Sequence, residues 1–342
     1  MIKPFGLKPG DTIGIFTPSF PAYTSNSGLF ENGVRNLENL GFQVKLGSLT
    51  LERKSQGYRS ASPKERADEF MGLIEDQEVR ALISTIGGTN SSSMIQFLDF
   101  TKIADSRKII CGFSDVTSLH LAIARYSQLV TFYGPSVMCW FGEWPDGIPE
   151  STESFLEAVM RHSSGERTFS APKRWSHHKR SWDNEEWKTT PRIWNRNDGW
   201  KTLSEGCAEA EIVPANLNTL MSSAGTDYFP DLTGKILLIE DMNAPLSLTE
   251  RSLMQLKLMG SFEHISGLII GKPEFYDQQG APFSYEDLFQ EIIGPRSYPI
   301  ISGFDCAHTV PMLTVPRHVR CRLSVKGQDV GFTLLEPGIA ER

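Results

Sequence analysis

Short apolar runs alternate with stretches whose apolar positions recur every three or four residues, and this rhythm holds from residue 11 to about 133. The runs predict strands at 11–17, 42–46 and 81–86, around Ile109, and at 129–133. The periodic stretches predict helices at 27–40, from Ser62 through Leu73, at 92–98, and from Val116 to Arg125, the last with Val116, Leu119, Ala122 and Ile123 on one face. Ser62 suits an N-cap, and Pro63 suits the first helical position because its missing N–H costs nothing there. Strands that alternate with helices at this spacing imply a parallel sheet covered on both faces. Ligands of such sheets sit beyond the carboxyl ends of the strands. Thr17-Pro18, Gly87-Gly88 and Gly112-Phe-Ser114 all fall at such ends.

The pattern then breaks. Between about Pro172 and Trp200 lies a polar stretch without clear periodicity that carries five of the seven tryptophans: Trp175, Trp182, Trp187, Trp194 and Trp200. It also holds His177, His178, Lys179 and Arg180. Unstructured connections of this length are usually functional or disordered, and its aromatic content argues against disorder, so it reads as a long connection or lid. Beyond it, 211–213, 235–239, 267–270 and 319–323 read as strands, interrupted by one amphipathic helix at 247–259. The division expected is 1–165 as an α/β unit, 166–205 as the tryptophan-rich connection, and 206–342 as a β-rich unit.

Composition narrows the function. A chain of 342 residues with 39% hydrophobic and 22% charged residues is ordinary for a soluble protein with a sizeable core. Its net charge of −7 leaves no basic excess to neutralise phosphates, so a nucleic-acid polymer is not the expected partner. No apolar run approaches the roughly 18 residues that cross a bilayer, and the first residues lack a signal-peptide core. The five scattered cysteines form no Cys-x-x-Cys pair, which fits reduced thiols in a cytoplasmic protein and no metal framework. No Gly-x-Gly-x-x-Gly follows the first strand, and no cofactor is expected.

The candidate chemistry begins at Arg107-Lys-Ile-Ile-Cys-Gly-Phe-Ser114-Asp115. A Gly-x-Ser turn between a buried strand and a helix exposes the hydroxyl and aims the first helical N–H groups at charge developing beside it. The second glycine of the usual elbow is missing, and a serine at a helix start also serves simply as an N-cap. A serine nucleophile needs a base, and the base needs an orienting group. Of the seven histidines, His120 lies about two turns along the same helix and points into packing. His162, His264 and His318 lie in charged or polar contexts, and His177 and His178 lie in the connection. His308 stands in a loop-like segment, Gly303-Phe-Asp-Cys-Ala-His-Thr-Val-Pro311, where catalytic bases tend to sit. Glu240 ends the apolar run Ile236-Leu-Leu-Ile, either as an orienting carboxylate or as a solvated strand terminus.

Gly-Phe-Ser114-Asp115, Glu240-Asp241 and His308-Thr-x-Pro311, in this order, resemble the LD-carboxypeptidase family of serine peptidases. Thr85-Ile-Gly-Gly88-Thr-Asn90, the tryptophan-bearing connection and Asn216-Leu-Asn-Thr-Leu are most similar to its microcin C immunity branch. Gly57-Tyr-Arg59 and Gln255-Leu-Lys-Leu-Met-Gly260 extend the resemblance to nearly the whole chain. It implies an N-terminal parallel α/β sheet bearing the nucleophile and a smaller C-terminal β-rich, barrel-like domain, usually in a homodimer. Carried over, Ser114 is nucleophile, His308 base and acid, Glu240 the orienter, and the Gly88 and Asp115 amides the oxyanion hole. Thr89, Asn90, Trp175, Trp182 and Asn216 are implied to bind substrate: a small peptide or an aminoacyl-nucleotide whose hydrolysis confers resistance. A murein tetrapeptide carboxypeptidase and a non-catalytic aminoacyl-nucleotide binder are the other readings. Val213-Pro-Ala215-Asn216 departs from the family's Gly-Gly before Asn, which predicts a narrower or stiffer pocket floor. Cys306-Ala-His308 and Pro316-Arg-His318 are further departures.

Overall fold

The computed structural model describes every residue except Ser25, 161–164, Lys179, Asp183, Asn243 and Tyr276. Two sheets organise the chain. The first is built from β1 (Thr12–Phe16), β2 (Gln43–Leu46), β3 (Val79–Ser84), β4 (Ile109–Gly112) and β5 (Phe132–Tyr133), all paired in parallel in the order β5-β4-β3-β1-β2. The register pairs Ile83 with Cys111 and Gly112 with Tyr133, so the turns after β3 and β4 leave the sheet at one edge. Helices cover both faces, Ser27–Asn39 on one and Pro63–Glu75 with Thr117–Tyr126 on the other. The Ser62 cap forms as expected: its hydroxyl accepts from the Glu65 amide while Glu65 reaches back to the Ser62 amide.

The second sheet contains β6 (Arg167–Phe169), β9 (Lys201–Ser204), β10 (Gly206–Asn216), β11 (Ile236–Glu240), β12 (Gly267–Gly271), β13 (Ile300–Phe304), β15 (Arg320–Lys326) and β16 (Asp329–Leu334). Its order is β6-β16-β15-β10-β11-β12-β13-β9, with β10 through β13 parallel and the flanks antiparallel. It curls until Thr202 on one edge strand donates to the Gly327 carbonyl of the β15–β16 hairpin at 2.6 Å. Separately, β7 (Arg174–Trp175) and β8 (Asn195–Arg196) form a small antiparallel ribbon within the tryptophan-rich stretch. One late strand returns to the first sheet: β14 (Val315–Pro316) pairs antiparallel with β5, opposite Tyr133.

Some local expectations change. Residues 92–98, expected as a helix, are a 3₁₀ turn at Ser91–Phe97, because Ser91 and Ser93 bond the carbonyls of Asp115 and Asn90 instead of supporting a regular helix. Beyond the expected helix, found at Leu246–Leu258, the C-terminal part also carries helices at Leu217–Ser222 and Tyr285–Ile293 that bury their apolar sides against the parallel strands. Ser284 caps the latter in a box with Asp287, a signal present in the sequence.

Candidate active site

The strand ends and the tryptophan-rich stretch enclose a cleft of about 910 Å³ whose wall includes Gly87, Gly88, Thr89, Ser114, Trp182 and His308. Ser114 occupies the corner where β4 gives way to the next helix, with φ of 60°. That left-handed conformation costs a residue with a Cβ about 1–3 kcal/mol, so the surroundings must hold it. They do so from both sides. The Ser114 N–H donates to the Tyr133 hydroxyl at 3.1 Å. Gly87 lets the neighbouring loop close in: a Cβ there would lie 2.9 Å from the Ser114 Cβ and 3.1 Å from its Oγ.

That loop is stapled behind the wall. The Ser19 hydroxyl accepts from the Thr89 and Asn90 amides at 3.0 and 3.2 Å, and the Asp115 carboxylate accepts from the Asn90 and Ser91 amides at 2.9 Å each. The Gly88 amide is left out of this staple. Fully buried Arg66 bonds the Pro18 carbonyl and both oxygens of Asn90. Asn90, read as a substrate contact, therefore faces the arginine instead of the cleft. Gly88 has φ of 150°, and a Cβ on it would lie 2.2 Å from the Ser19 hydroxyl.

Opposite stands His308, its Nδ1 2.5 Å from Oε2 of Glu240 and its ring 4.7 Å from that of Phe113, the residue before Ser114. Glu240 closes β11 and is 1% exposed. Its other oxygen accepts from the Tyr133 hydroxyl at 2.5 Å and from the Asn216 amide at 3.1 Å. Burial pulls the His308 imidazolium down, but the charge and hydrogen bond of Glu240, helped by Glu274 and Asp241, outweigh it and raise the pKa above 6.5. Burial, then the neighbouring Glu240, pushes the Asp241 carboxyl up to about 6.

The remaining histidines divide cleanly. His120 is fully buried, its Nε2 3.0 Å from the Gly112 carbonyl, and burial with the Arg317 charge lowers it to about 3. His264 is exposed, His318 pairs with Glu211 at 3.5 Å, and His162 lies outside the described residues. His177 and His178 do line the cleft, but their Nδ1 atoms face the Glu274 carbonyl and the Ile193 amide, not a carboxylate.

Of the substrate candidates, Thr89 and Trp182 are on the wall. Asn26 holds Trp182 in place: its amide donates to the Trp182 carbonyl at 2.6 Å while its oxygen caps the helix Ser27–Asn39. Trp175 is not on the wall; its ring lies 5.2 Å from His177, with the Lys272 ammonium 4.9 Å away. Asn216 sits behind the wall, capping Leu217–Ser222 and bonding Glu240. Two departures from the family pattern touch each other: buried Arg317 donates to the Pro214 carbonyl. Lys179 falls outside the described residues.

Reading the sequence missed Glu143, whose buried carboxylate takes Arg180 and Arg192 (Nη2 at 2.8 Å) from the connection. All three line the cleft. Burial pulls both guanidiniums down to about 10. Among the described residues no group of His, Cys, Asp or Glu is arranged to hold a metal, and no helix is long and apolar enough to cross a membrane.

The LD-carboxypeptidase N-terminal domain matches residues 13–134 and the LD-carboxypeptidase C-terminal domain residues 209–323. The microcin C7 self-immunity protein MccF of Escherichia coli is 36% identical over 96% of this chain and 94% of its own. Solved structures of MccF with aspartyl sulfamoyl adenosine, and of a Trp-to-Phe mutant with adenosine monophosphate, each give a TM-score of 0.94 at 34% identity, covering 99% of this chain and 100% of theirs.

Proposed function

This chain belongs to the LD-carboxypeptidase family and is a serine carboxypeptidase-type hydrolase; from that premise we propose that Ser114, His308 and Glu240 act as its triad on aminoacyl- or peptidyl-nucleotide conjugates. The observation that carries this reading is the 2.5 Å contact of His308 with Glu240 in the cleft that also exposes the left-handed Ser114 corner. Glu240 accepts from Nδ1–H, which leaves Nε2 as the basic nitrogen. His308 takes the Ser114 proton as the hydroxyl attacks the carbonyl carbon next to the scissile bond. The Gly88 and Asp115 amides receive the oxyanion, and a donor of that kind is worth about 100- to 1000-fold in rate. His308 then protonates the leaving nitrogen, and water releases the acyl group from Ser114.

The nucleotide preference is supported by Trp182 on the wall of a cleft large enough for such a conjugate, and by the ligands of the MccF structures. Aspartyl sulfamoyl adenosine and a murein tetrapeptide, assayed side by side, test it. Turnover of the first is expected, with loss of at least about 10⁴-fold in Ser114→Ala. Turnover of the tetrapeptide alone would reassign the substrate, and undiminished hydrolysis by Ser114→Ala would remove the triad.

A further inference from the structure

Tyr133 is fully buried and its hydroxyl touches two elements of the site at once. It accepts from the Ser114 N–H at 3.1 Å and lies 2.5 Å from Oε1 of Glu240. The chemistry of the two partners fixes the direction of both bonds. An amide nitrogen can only donate, so the single phenolic proton is free to go to the carboxylate. The backbone of Tyr133 is equally fixed, paired with Gly112 of β4 on one side and Val315 of β14 on the other.

We propose that Tyr133 is a positioning residue that couples the nucleophile corner to the carboxylate behind His308. Its proton holds Oε1 of Glu240 so that Oε2 stays on His308, and its lone pair holds the Ser114 main chain in its left-handed turn. The Ser114 N–H is occupied, so the oxyanion must be met by the Gly88 and Asp115 amides instead. The charged and titratable groups around this bridge include Glu240, Cys306, Arg317 and His120 facing Tyr133, Glu240, Glu274 and Asp241 facing His308, and Tyr285 facing Glu240 and Asp241. Asn216 also donates to Oε1, so Glu240 keeps one partner when the phenol is removed.

The proposal rests on the triad reading, and its test separates the two. A fluorophosphonate probe, which phosphonylates an activated serine with loss of fluoride, needs no knowledge of the substrate, and its rate against pH reports the free enzyme's base. In the wild type, labelling at Ser114 is expected to rise with pH through one midpoint; no labelling would fail the triad and not Tyr133. In Tyr133→Phe the rate is expected to fall about 10- to 100-fold, as for loss of a hydrogen bond to a charged group. The midpoint is expected to move up by about half a unit, because a carboxylate with one donor fewer holds the imidazolium more strongly. A purely structural tyrosine could lower the rate but would leave the midpoint in place, and an unmoved midpoint overturns the proposal. Should Tyr133→Phe fail to fold, hydrogen exchange in the wild type decides. A Ser114 amide protected by about 100-fold or more supports the bridge, and one exchanging at the unprotected rate overturns it.

Discussion

The two walls of the cleft are built by different means. The wall that carries Ser114 and Gly88 hangs from the ends of parallel strands and is fixed by hydrogen bonds with Ser19, Asp115, Arg66 and Tyr133. The facing wall, with Trp182, Arg180 and Arg192, belongs to a stretch whose regular structure, among the described residues, is a ribbon of two-residue strands and a single helical turn. It is anchored to the first half by the Glu143 ion pairs and by Asn26. On the proposed assignment, reaction geometry, which tolerates little displacement, sits on the sheet, and recognition, which tolerates more, sits on a tethered segment. Damage to the first wall should therefore appear in kcat, and damage to the second in KM.

The sharpest break is Gly88→Ala. A Cβ 2.2 Å from the Ser19 hydroxyl, at a φ that disfavours any side chain, forces the loop out of place. Steady-state kinetics should show kcat lower by about 100- to 1000-fold, the loss typical of a missing oxyanion donor, with KM little changed. An equal rise in KM would mean that this wall also recognises substrate.

Next is Glu143→Ala, which leaves the buried Arg180 and the half-buried Arg192 facing each other. Removing one partner of a buried pair costs about 3–5 kcal/mol, and the low end is expected because Glu274 still faces Arg192. Denaturant unfolding should register the loss, and limited proteolysis should cut within 172–200 before elsewhere. Unchanged stability together with an intact connection would show that the ion pairs do not tether this wall.

The smallest effect belongs to Trp182→Ala. Stacking on a base is worth about 1–3 kcal/mol, so KM for aspartyl sulfamoyl adenosine should rise about 5- to 150-fold with kcat nearly constant. A substrate without a base should not notice the change. If both substrates suffer alike, Trp182 is a packing residue.

The contrast also explains what was legible in the sequence. Ser114 and Glu240 stand at the ends of apolar strands, and a strand end is visible as a change in periodicity. His308 was one of several loop histidines until the motif order singled it out. Tyr133 gave no signal, because an aromatic residue closing an apolar run looks like core, and only the tertiary register brings its hydroxyl to Ser114 and Glu240. Trp175 and Trp182 are indistinguishable by composition, yet one lies over Lys272 and the other on the cleft. Asn216 announced its motif but not its task, since capping a helix and bonding a neighbouring strand's carboxylate both need the fold first. The helix Tyr285–Ile293 was missed although its capping residues were in view, because the surrounding strands dominated the pattern.

The edge strand β14 sets an order of events for the growing chain. The ribbon that flanks Tyr133 is supplied by Val315 and Pro316, some two hundred residues after Ser114 has left the ribosome. Until then the sheet that carries Ser114 has an open border, and its proposed partners Glu240 and His308 are still arriving. A fragment ending in the tryptophan-rich stretch should be neither a finished domain nor a partial hydrolase. On the proposed triad, competence waits for the late strand and for His308.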